Sequence, residues 1–212
     1  MFSADARSAM PPPSDTLAPF LEQNAPPEYS ASERQMLCQL AHEAVLSLLE
    51  ERGLREFTIS GHLSEPRGVF TTLYRKGKLR GCVGYPAALM PLHQAVVETA
   101  RAAAFDDPRF PPLTLVEAGE LGVSISVLGP VRPILAEEVE VGRHGLLISL
   151  GSRRGLLLPQ VALENGWDRI KFLEQTCRKA GLEPDGWRTG ATIEAFTAEV
   201  FGDEAKEGST PD

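Results

Sequence analysis

One thiol stands between two glycines, in the run Leu79-Arg80-Gly81-Cys82-Val83-Gly84. A cysteine becomes a nucleophile or a metal ligand when a cation, a histidine or a helix N-terminus stabilises its thiolate. Arg80 is two residues away, which on a regular strand sets it on the same face as Cys82. His93 follows on a helix that can bring it near. Gly81 and Gly84 allow the backbone to bend and a ligand to approach with no Cβ in the way. The other reading of Cys82 is a small buried hydrophobe, the ordinary place of an isolated cysteine. It is the one nucleophile candidate, since no GxSxG elbow accompanies it.

A second stretch, Asp107-Pro108-Arg109-Phe110-Pro111-Pro112, carries an acid, a base and an aromatic ring. Its three prolines restrict the unfolded chain, so the loop is ordered at little entropic cost. Asp107 can pair locally with Arg109, or Arg109 can offer its planar fork to an external carboxylate. The alternative is a rigid connection and nothing more.

Arg75, Lys76, Lys78 and Arg80 form a basic cluster around a turn. They can serve as an anion or RNA contact, or as charges that deter edge-to-edge strand association. A net charge of −8 and the lack of interleaved aromatics favour the latter and argue against nucleic acid. His42, His62, His93 and His144 are isolated, and neither GxGxxG nor GxxxxGK[ST] occurs, so no metal or cofactor is called for.

These residues must be positioned by a chain of 212 residues, 42% hydrophobic and 24% charged, within the range of soluble globular proteins. Cys38, Cys82 and Cys177 are odd in number and far apart, which suits reduced thiols rather than a disulfide framework. No apolar run is long enough for a membrane span, and no secretory layout opens the chain, so the expectation is cytoplasmic. A proline-rich tail over 1–28 and a polar tail over 203–212 bracket a domain over 29–202.

Helical spacing predicts a helix over 32–52, capped by Ser30 or Ser32 and ended by Gly53. A hairpin over 69–83 turns at Lys76-Gly77-Lys78, and a helix runs over 91–105. Residues 122–128 alternate, with Ser124 and Ser126 pointing away from the core. A second hairpin spans 146–158, short and long helices cover 159–164 and 168–179, and 192–201 reads as one final strand. On the long helix, Ile170, Leu173 and Cys177 share a core face with Trp167. Without a βαβ rhythm, this order predicts an α+β fold with a largely antiparallel sheet and helices packed on it.

The ordered blocks resemble the AMMECR1-domain family. Leu79–Gly84 matches its LRGCIG-type segment, with Val83 for isoleucine, and Asp107–Pro112 matches its D-x-RFPP loop. His144-Gly145-Leu146, Gly155–Ala162, Gly166-Trp167-Asp168 and Cys177–Leu182 follow in family order. The resemblance implies two unequal subdomains, with the cysteine segment near the cleft between them. It implies no established reaction. It does imply association with a Memo-like and a radical-SAM protein in the AmmeMemoRadiSam system, where such chains are protein A.

The leading expectation is an accessory or interaction protein using Arg80–Gly84 and Asp107–Pro112. The alternative is an enzyme or substrate-handling lobe with Cys82 as a reactive thiol and Arg80 as anion anchor, with room for a small-molecule ligand.

Overall fold

Local signals in the sequence account for most of the elements. The computed structural model describes residues 27–203. The two expected tails lie outside these residues apart from residues 27, 28 and 203. Glu28 pairs with Arg67 at 2.8 Å, and Asp203 accepts the Val123 N–H at 2.8 Å and bonds to His42 at 2.6 Å. The chain divides into two compact units, one of residues 27–127 and 199–203, the other of residues 128–198.

In the first unit, helix α1 spans Ala31–Leu49, and Ser30 forms a reciprocal capping box with Glu33. Gly53 does not end it. Glu51 adopts φ 51°, while the Glu51 and Arg52 N–H groups return to the carbonyls of Leu48 and Ser47. This left-handed closure satisfies the last carbonyls two residues before the glycine. Strands β1 (Gly68–Arg75) and β2 (Lys78–Tyr85) form the hairpin. Lys76 at φ 51° and Gly77 at φ 72° make the two-residue turn whose twist matches that of the strands.

Helix α2 (Leu92–Phe105) packs on this hairpin through Thr99, whose hydroxyl lies 2.8 Å from that of Thr71, and through Ala103. A single helical turn, α3 (Leu115–Ala118), precedes β3 (Leu121–Leu128). Ser126 on β3 is buried, contrary to the outward position that alternation assigns it, because the strand is covered on both faces. Leu37, Val45, Leu73, Val96, Ile125 and Phe201 are among the core residues.

The second unit holds β4 (Arg132–Pro133), β5 (Gly145–Leu150), β6 (Arg153–Leu157), α4 (Pro159–Glu164), α5 (Arg169–Lys179) and β7 (Thr192–Phe196). Leu146, Ile148, Phe172, Leu173 and Cys177 are fully buried there, whereas Ile170 is 36% exposed and lies off the core face. Gly155 lets β6 approach the end of α5, since a Cβ would lie 2.3 Å from the Ala180 nitrogen.

The final β run is two strands, not one. β7 belongs to the sheet β4-β7-β5-β6, and β8 (Ala198–Gly202) belongs to the sheet β2-β1-β3-β8. Thr197 stands between them, its carbonyl taken by the Gly129 N–H at 2.8 Å. Five helices and two antiparallel four-stranded sheets among the described residues make the fold α+β.

Candidate functional site

Among the described residues β2 is the outermost strand of its sheet, with a neighbouring strand on one side only. Cys82 lies opposite Thr72, whose hydroxyl is 3.3 Å from the sulfur. Its backbone N–H donates to Asp107 Oδ2 at 2.9 Å. The same carboxylate receives the Arg109 backbone N–H at 3.1 Å, its Nε at 2.9 Å and its Nη2 at 2.7 Å. The Asp107–Pro112 loop is thus closed on itself and fastened to the strand edge by one buried carboxylate.

Burial is the largest single influence on Asp107 and opposes its ionisation. The Arg109 guanidinium and the two N–H groups together outweigh burial and hold the carboxyl below its usual range. Arg109 is raised in turn by Asp107, with a smaller Coulombic contribution from Cys82.

Arg80 departs from the simple strand rule. Register slips between Leu73 and Tyr74, which pair with Gly81 and Leu79, so Arg80 is the extra residue of a β-bulge. Strict alternation therefore does not carry from Cys82 to Arg80. The buried guanidinium instead grips Glu117 through Nε at 3.0 Å and Nη2 at 3.2 Å. The Phe110 ring lies beneath both arginines, 5.9 Å from Arg80 and 5.5 Å from Arg109.

Glu117 also closes the capping box of α3 with Thr114. The Arg80 hydrogen bond is the main cause that brings its carboxyl down to about 2. Arg75 bonds to Glu120 at 2.7 Å and to Glu117 at 3.3 Å, and Lys76 reaches Glu120 at 3.5 Å. The basic cluster seen in the sequence is therefore largely matched by the acids on and just after α3. Glu117 and Thr72 were missed from the sequence; the Thr114-x-x-Glu117 capping pattern is the signal that marks Glu117.

The glycines are occupied by the protein itself. A Cβ on Gly81 would stand 2.0 Å from the Ala103 carbonyl oxygen, and one on Gly84 would stand 2.2 Å from the Phe70 ring. Their missing side chains make room for α2 and for Phe70, not for an approaching ligand. Gly81 and Thr71 face α2, while Cys82 and Thr72 point to the other side of the sheet. His93, on α2, is accordingly not brought to the thiol; its Nδ1 donates to the Leu63 carbonyl at 3.0 Å. At the end of the loop Pro111 and Pro112 are exposed, and beyond it so are Leu115 at 54% and Val116 at 81%.

Among the described residues, no three His, Cys, Asp or Glu side chains converge as metal ligands, and no helix is long and apolar enough to cross a membrane.

Comparison with known proteins places this chain within a wider group. The AMMECR1 family model matches residues 38–201. Protein MK0488 of Methanopyrus kandleri is 43% identical over 188 residues, covering 83% of this chain and 91% of the relative. Protein PF1979 of Pyrococcus furiosus is 43% identical over 190 residues, covering 82% and 90%. The crystal structure of uncharacterized protein PH0010 from Pyrococcus horikoshii superposes with a TM-score of 0.75 at 40% identity, covering 82% of this chain and 93% of that one. With its family model spanning most of its length and its fold shared at this identity, the chain belongs to the AMMECR1 family.

Proposed function

We propose that this chain is a cytoplasmic accessory protein that works by binding other proteins, with the β2 edge and the Asp107–Val116 segment as its contact surface. The observation that carries this reading is an apolar strip on a rigid base. Pro111, Pro112, Leu115 and Val116 face solvent. The Asp107–Arg109 and Arg80–Glu117 pairs behind them fix the backbone. Burying such a preorganised strip costs little ordering entropy, a feature of well-formed binding surfaces. The partners this reading names are a Memo-like and a radical-SAM protein, those associated with chains of this resemblance.

Co-purification of the tagged full chain from its native host tests it. Both partners are expected with the native chain and are lost with Val116→Asp, an exposed position where thermal stability stays unchanged. Failure to recover either partner, under conditions that hold other weak complexes, removes the reading.

One observation favours a second reading. Cys82 is half-buried, next to the Thr72 hydroxyl and within Coulombic reach of the Arg109 guanidinium. A cation of this kind favours a thiolate. On this reading the same surface is an enzyme's or a substrate-handling site, with Cys82 as nucleophile.

A further inference from the structure

On the opposite side of α2 from its packing against the hairpin, the first unit has an open groove of about 460 Å³, in the range of small-molecule sites. Its apolar lining includes Leu40, Leu54, Phe57 and Val97, with His93 and Arg101 among its polar members. Leu54 is 38% exposed within it.

Arg101 sets this groove apart. Seven of the eight arginines within residues 27–127 hold a carboxylate as an ion-pair partner, and Arg101 has none among the described residues. Its Nε donates to the Ala44 carbonyl at 3.1 Å and its Nη2 to the Ser47 hydroxyl at 3.1 Å. Both acceptors are neutral, and Nη1 has no hydrogen-bond partner among the described residues. Glu98 lines the same groove but is engaged by the Tyr85 hydroxyl at 3.4 Å rather than by Arg101. Arg55, also at the groove, is matched by Glu43 at 3.6 Å.

The result is a guanidinium held in place by α1, with no carboxylate at ion-pair distance among the described residues, beside apolar side chains. A planar fork of this kind suits a carboxylate, and the surrounding surface suits an aliphatic or aromatic body. We propose that this groove is a binding site for a small amphipathic monocarboxylate, its acid group on Arg101 and its apolar body along Leu40, Leu54, Phe57 and Val97. The site is separate from the Cys82–Asp107 surface and does not depend on its function.

Calorimetric titration of the full chain with octanoate, and with octan-1-ol as the uncharged counterpart, tests the assignment. Octanoate binds saturably and at least about tenfold more tightly than the alcohol, the weight of a charge-assisted hydrogen bond. Arg101→Gln abolishes that preference, Arg101→Lys retains most of it, and Leu54→Glu weakens both ligands. Equal affinity for acid and alcohol, or a preference that persists in Arg101→Gln, overturns the proposal, as does the absence of saturable octanoate binding at low millimolar concentration. If circular dichroism shows Arg101→Gln unfolded, the acid-to-alcohol ratio in the native chain and in Arg101→Lys still decides the matter. Partner recovery with the Val116 variant is untouched by any of these outcomes.

Discussion

The carboxylate of Asp107 accepts the backbone N–H of Cys82 at 2.9 Å, across 25 residues of chain. A loop side chain thereby takes the place that a neighbouring strand would occupy at the edge of the sheet. Exposed edges invite pairing with other chains, and natural proteins block them by such devices. The backbone of the one nucleophile candidate is, first of all, a fastening point.

Removing that fastening has a measurable cost. Asp107→Ala leaves the Cys82 N–H and the Arg109 guanidinium without their partner. We expect a loss of about 1.5–3 kcal/mol, the range for hydrogen bonds to charged groups. Asp107→Asn keeps an acceptor oxygen and loses less. Urea unfolding measures both, with the midpoint moving and the slope unchanged.

Gly81→Ala tests what the glycine is for. Its Cβ would meet the Ala103 carbonyl oxygen at 2.0 Å, so helix and strand must separate. Overpacking of this kind costs about 1–3 kcal/mol. Gly53→Ala serves as the control, because nothing lies within 4 Å of that position and its φ is not positive. A thermal melt in which the two variants behave alike contradicts the packing role.

Acid stability follows from Glu117. Its carboxyl is lowered from 4.5 to about 2, chiefly by Arg80. The unfolded chain therefore takes up protons at higher pH than the folded one, and stability rises with pH in that interval. The contribution is complete above about pH 4.5 and is lost as the pH falls towards 2. Glu33, lowered to about 2 chiefly by Ser30, acts in the same direction. Glu117→Gln is expected to be less stable at neutral pH and to show a shallower loss on acidification, read from unfolding midpoints across the interval.

Thiol labelling separates the three cysteines. Burial pushes the Cys38 thiol up to about 12 and also raises that of Cys177. At near-neutral pH the folded protein should therefore react with iodoacetamide at Cys82 first, as mass spectrometry of timed digests will read. Slowest labelling at Cys82 rules out its role as a nucleophile.

Elements defined by neighbours in the chain were legible in the sequence. Lys76-Gly77 needs only its own left-handed geometry to turn the hairpin, and Ser30 with Glu33 needs only four residues to start α1. The split at Thr197 was not legible, because 192–201 is uniformly suited to strand and its division depends on two different sheets. Arg80 illustrates the same limit at the site. Spacing placed it beside Cys82, but the bulge and Glu117, 37 residues away, decide where its guanidinium goes. His93 was misplaced because helical proximity in sequence says nothing about which side of the sheet the helix covers.

The connectivity of the two units bears on how the chain is made. Residues 128–198 are continuous, whereas the other unit is assembled from 27–127 together with 199–203. Phe201, in its core, is translated only after the whole of the inserted unit. Domains tend to fold as they leave the ribosome. Here the unit begun second has all of its residues first, and the unit begun first waits for the final strand. Synthesis order and completion order are reversed, so a ribosome stalled before residue 198 carries a nascent chain whose β2-β1-β3-β8 sheet still lacks its last member.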